Sequence, residues 1–135
     1  MFVGSTDGQV YAIALADGRE LWRLRVAPDG GRMMFYDQLG SRWPVLASPL
    51  VVDGKILAVA GCMEAIDGVF VVAADAVTGE LLWEREDWRD SAGEDLNPRQ
   101  TTSGAGQLCW DAQTNEVVYS AGRALPVRFA ADTGE

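Results

Sequence analysis

The chain has 135 residues, 48% hydrophobic and 23% charged, with a formal net charge of −9 and no histidine. That length suffices for one ordinary globular domain with its own core. The acidic balance excludes a nucleic-acid binder, whose phosphate contacts need a surplus of Lys and Arg. The missing histidine removes both the commonest general base and the commonest metal ligand. No stretch reaches the ~18–20 apolar residues of a membrane span. The segment Met1–Thr6 has no basic region leading into an apolar core, so no signal peptide is read there.

In chain order, the first element is a hairpin signal. Asp7-Gly8 accepts positive φ at a tight turn, and Gln9–Ile13 follows as a short β-branched and aromatic run. Gly18-Arg19-Glu20-Leu21-Trp22 then marks a second turn and strand. The stretch Ala27–Pro44 is too apolar for a solvent loop. It is expected to fold over a sheet with Met34, Phe35, Leu39 and Trp43 inward, or to cap a mouth with Arg32, Tyr36, Arg42 and Trp43 facing a ligand. Ala47–Ile56 holds another hairpin around Asp53-Gly54.

Ala65–Ala73 repeats the first hairpin: Asp67-Gly68, then an apolar run ending on alanine. It continues into Ala73-Ala74-Asp75-Ala76-Val77-Thr78-Gly79-Glu80-Leu81-Leu82-Trp83. Glu84–Ser103 is polar and charge-mixed, reads as a mobile acidic loop, and lacks the ordered spacing of a calcium loop. Gln107–Tyr119 is a hairpin with a longer turn, and Phe129–Glu135 begins a third copy of the turn. The turn glycines Gly18, Gly79 and Gly134 recur at intervals of 61 and 55 residues, longer than the ~40–45 of an ordinary propeller blade. Each interval therefore carries an insertion. No apolar stripe has helical spacing, so about ten short antiparallel strands and an all-β fold are expected.

The run from Ala73 to Trp83 matches Ala-x-Asp-x-x-Thr-Gly-x-x-x-Trp and resembles the tryptophan-docking motif of the pyrroloquinoline-quinone-type (PQQ-like) β-propeller repeat family. The resemblance implies blades of four antiparallel strands, with Asp75, Thr78 and Gly79 forming a turn and Trp83 wedged between neighbouring blades. The first copy keeps Ala12, Gly18 and Trp22 but has Ala14 and Asp17 where Asp and Thr are usual. The chain then reads as about three blades, the first and last incomplete. Residues 1–26 end one blade, 27–45 are an inserted loop, 46–87 a complete blade, 88–104 an acidic inserted loop, and 105–135 the start of a third blade.

Cys62 and Cys109 lie 47 positions apart in apolar runs and are expected to be buried free thiols. No catalytic constellation, nucleotide loop or metal-ligand spacing is present. By resemblance the chain is a bacterial, periplasmic or otherwise extracytoplasmic scaffold, partnered by further blades and other proteins, and needing no cofactor. Two alternatives share the same repeat. One is a sensor or carbohydrate-associated ectodomain. The other is part of a quinoprotein alcohol or sugar dehydrogenase, where pyrroloquinoline quinone and calcium would be required.

Overall fold

The computed structural model describes residues 1–35, 37–61, 68–86, 104–120 and 126–135. Among these residues every regular element is a strand: β1 (Phe2–Gly4), β2 (Gln9–Ile13), β3 (Glu20–Arg25), β4 (Arg32–Phe35), β5 (Gln38–Ser41), β6 (Leu50–Val52), β7 (Lys55–Ala60), β8 (Phe70–Asp75), β9 (Leu81–Glu86), β10 (Gln107–Asp111), β11 (Glu116–Ser120) and β12 (Val127–Ala130). They form antiparallel sheets in the orders β1-β2-β3, β6-β7-β8-β9 and β10-β11-β12, plus the two-stranded hairpin β4-β5. The fold is thus an all-β propeller arc, with one four-stranded blade between two three-stranded ones.

The central sheet explains why its strands read as continuous apolar runs. Side chains alternate across a strand, and both faces of β7 and β8 are covered. Leu57, Val59, Val71 and Ala73 face the third sheet, packing with Leu108, Val117, Tyr119 and Phe129. Ile56, Ala58, Ala60, Phe70, Val72 and Ala74 face the first, packing with Val10, Val26 and Val45. The core is therefore two interlayers, one on each side of the middle blade.

Turn chemistry sets the registers. Val52 pairs with Lys55 across Asp53-Gly54, and both turn residues have positive φ (45° and 75°), the conformation whose twist suits a two-residue hairpin. Asp111 pairs with Glu116 across the longer turn expected after β10, which Asn115 closes at φ 55°.

Three expectations need correction. The insertion after β3 is not a plain loop: β4 and β5 form a hairpin, with Met34 opposite Leu39. Met34 and Leu39 do not pack inward. They are 66% and 60% exposed on one face of the hairpin, and Leu39 lines an open cleft rather than a packed interlayer. Trp43 does turn inward, with its ring edge-on to Phe70 at 5.7 Å. Cys109 is free but exposed. It alternates with buried Leu108 on β10, and only Leu108 meets the core. Cys62 lies outside the described residues, as do Tyr36 and the acidic segment 88–103.

Antiparallel pairing also sorts the connections. Residues 53–54, 112–115, 14–19 and 76–80 are tight turns at one end of the strands. The segments 26–49 (which holds the β4-β5 hairpin), 61–69 and 87–106 join strand ends at the opposite end, as does the short turn 5–8.

Candidate functional site

The three repeat turns fold alike. Gly18 N–H donates to Ala14 O, Gly79 N–H to Asp75 O and Gly134 N–H to Ala130 O, at 2.9–3.0 Å. The glycines have φ of 73°, 76° and 75°, the left-handed region that L-residues avoid. Asp75 accepts from Val77 N–H at 2.8 Å and Thr78 N–H at 2.7 Å, and Thr78 Oγ1 accepts from Glu80 N–H at 3.2 Å. In the first copy Asp17 takes over the threonine's part, accepting from Arg19 N–H at 3.0 Å. The departure from the motif at Asp17 therefore leaves the turn intact.

Two of the turns carry a tryptophan from the preceding sheet. Trp22, on β3, donates Nε1–H to Ala76 O at 3.3 Å, and Trp83, on β9, donates to Ala131 O at 3.1 Å. A Cβ built on Gly79 would lie 2.6 Å from the Trp22 ring, and one on Gly134 2.8 Å from the Trp83 ring. At Gly18 a Cβ would meet nothing within 4 Å. Ala12 and Ala73 are buried and stand opposite Trp22 and Trp83 in the strand registers, where a small side chain leaves room for the indole.

The Asp75 carboxyl is held below the usual carboxylate range, first by the Thr78 and Val77 N–H groups. A depressed folded-state value adds stability above the unfolded pKa and loses it as pH falls through the folded one. Asp75→Asn is therefore expected to melt below wild type at neutral pH. The gap should narrow as pH falls below the ordinary carboxylate value and on through the lowered folded-state one. Melting midpoints from pH 7 down to pH 3 check this; a constant gap would show that the charge does not matter.

Sequence reading missed a second tie between blades. Lys55, the chain's one lysine, donates to Asp132 Oδ1, and Asn115 Nδ2 donates to Asp132 Oδ2 at 2.8 Å. Arg85 Nη1 reaches Gly134 O at 2.5 Å. These partners sit 17 to 77 residues apart, and no local motif signals them.

Of the residues proposed to face a ligand, Tyr36 lies outside the described residues. Arg42 lies over the Trp43 ring at 5.8 Å. Arg32 instead lines a cleft of about 410 Å³ between the first sheet and the β4-β5 hairpin. One wall holds Gln9, Tyr11, Arg23 and Arg25; the other holds Arg32, Leu39 and Ser41. Tyr11 OH donates to Asp7 Oδ2 at 2.5 Å, and Asp7 also accepts from Gln9 N–H at 3.0 Å. Burial alone would raise the Asp7 carboxyl, but these hydrogen bonds outweigh it and hold it low. The same Asp7 contact pushes the Tyr11 phenol up. Among the described residues no three His, Cys, Asp or Glu side chains gather as a metal site.

A family model described as outer membrane protein assembly factor BamB matches residues 1–128. The outer membrane protein assembly factor BamB of Moranella endobia is 33% identical over 84 residues, covering 62% of this chain and 19% of that protein. Among solved structures, a quinohemoprotein alcohol dehydrogenase from Pseudomonas putida aligns over 99% of this chain and 24% of its own, with TM-score 0.66 and 20% identity. The quinohemoprotein alcohol dehydrogenase from Comamonas testosteroni gives TM-score 0.65 and 22% identity over the same shares. This chain thus spans a quarter or less of these relatives, and the dehydrogenases speak for the propeller fold alone. Because the family match runs through all three sheets, the chain belongs to the PQQ-like repeat family of the outer membrane protein assembly factor BamB.

Proposed function

We propose that the chain is a non-catalytic scaffold section of an extracytoplasmic bacterial propeller that mediates protein–protein interaction. The observation that carries this reading is the placement of connections: turns 14–19, 53–54, 76–80 and 112–115 lie at one end of the strands, while the longer segments 26–49, 61–69 and 87–106 leave from the other, beside the short turn 5–8. Loops held on a rigid scaffold are where binding surfaces are built. In this reading the blades are residues 1–26, 46–87 and 105–135. Trp22 and Trp83 are docking residues, each tying its blade to the turn of the next. Family membership supports the reading, since the curated relative is an assembly factor rather than an oxidoreductase. Further blades and another protein are the expected partners.

The competing reading is a dehydrogenase section. Incubated with pyrroloquinoline quinone and calcium, the chain is expected neither to retain quinone through gel filtration nor to reduce a dye with alcohols or sugars. Dye-linked oxidation would overturn the scaffold reading.

A further inference from the structure

The three long segments meet at their roots. Residues 41–45, where segment 26–49 returns towards the second blade, are tied to the turn of the first sheet. Ser41 N–H donates to Thr6 O at 2.8 Å and Val45 N–H to Ser5 O at 2.9 Å, and Val45 is buried between the first and second sheets. The root of 61–69 comes next: Gly61 N–H donates to Pro44 O at 3.0 Å. The root of 87–106 lies against the same residue, since a Cβ built on Gly104 would collide with Gly61 O. Two residues on, Gly106 N–H donates to the hydroxyl of Tyr119, whose side chain is buried in the core beneath the third sheet. Backbone therefore touches backbone from the first sheet to the third, and Gly61 is the middle link.

Small residues make this contact possible. A Cβ on Gly8 would lie 2.9 Å from Ser41 Oγ and 3.0 Å from Trp43 O, and one on Gly61 2.7 Å from Gly68 O. At the opposite end of the strands a Cβ on Gly18 or Gly54 would meet nothing within 4 Å. The difference is mechanical. A side chain between two segments can change rotamer and absorb a displacement, whereas backbones in direct contact pass it on, as close-packed interiors do. Such a contiguous chain of contacts is a physical route for coupling between sites.

We infer that the roots of the three long segments form one cooperative unit pinned at Gly61, so that a contact made on any one segment is felt at the other two. The inference concerns how the segments are held and does not rest on the scaffold reading, so its failure would leave that reading standing. Native-state hydrogen exchange tests it, with the amides of β8 as the measure of global opening. Relative to β8, the Ser41, Val45 and Gly61 amides should speed up together in Gly104→Ala, by about tenfold, as the new methyl forces the link apart. Ser41 lies 63 residues from the substitution and across the middle blade, so a merely local clash would not reach it. Tyr119→Phe keeps the buried ring and removes only the hydroxyl that holds Gly106; it should speed the same three amides severalfold, and it decides the matter if Gly104→Ala does not fold. Gly18→Ala, which strains a turn at the far end, should leave their rates relative to β8 unchanged. Acceleration confined to Gly61, no acceleration, or an equal effect of Gly18→Ala would overturn the inference.

Discussion

Trp83→Ala is expected to lower unfolding free energy by roughly 3–5 kcal/mol, the range for large-to-small changes at packed aromatic sites. The indole packs edge-on to Phe129 at 6.0 Å, covers Gly134 and donates to Ala131 O at 3.1 Å. Truncation removes apolar contact and the hydrogen bond together, and leaves the third sheet held by the interlayer and by the Lys55–Asp132 and Arg85–Gly134 ties. Against a typical domain stability of about 5–15 kcal/mol, most of the chain should then be marginal. Trp88 was the natural exposed control on sequence grounds, but it lies outside the described residues. Trp110 serves instead: it is 38% exposed and bonds only the side chain of Asn115. Its replacement by alanine should cost about 1 kcal/mol or less. Urea melts of the two variants decide between them, and equal costs would refute the docking role.

Gly79→Ala is the second large effect, and it separates strain from stacking. At both Gly79 and Gly18 an alanine pays the left-handed penalty, about 1–2 kcal/mol. Only at Gly79 would the new methyl also collide with an indole, 2.6 Å from the Trp22 ring. Overpacking of that kind adds roughly 1–3 kcal/mol. Gly79→Ala should therefore cost about twice what Gly18→Ala does. Matching losses at the two positions would mean that Trp22 does not rest on the turn.

Much of the fold was legible in the sequence because it is written locally. Asp53-Gly54 and the three glycine turns announce their positive φ, and strand alternation announces the rest. The β4-β5 hairpin was not legible for the same reason reversed. Its turn uses Asp37 at φ 66° and contains no glycine, so the Met-Met-Phe run looked like a cap rather than a strand. Cys109 was misjudged because an apolar run does not say which face of an edge strand is covered. The candidate site was legible only in part. Arg32 was picked out within the insertion, but its cleft partners Tyr11, Arg23 and Arg25 come from strands that look like ordinary blade.

The central claim, that each blade is pinned through its tryptophan to the next blade's turn, is tested most directly by indole hydrogen exchange. Trp22 and Trp83 donate Nε1–H to backbone carbonyls between sheets, whereas Trp110 donates to an exposed side chain. In ¹H–¹⁵N spectra after transfer to D₂O, the Trp22 and Trp83 indole protons should persist well after that of Trp110 has gone, because their opening requires separating two sheets. Loss of the Trp22 and Trp83 signals as fast as that of Trp110 would contradict the account.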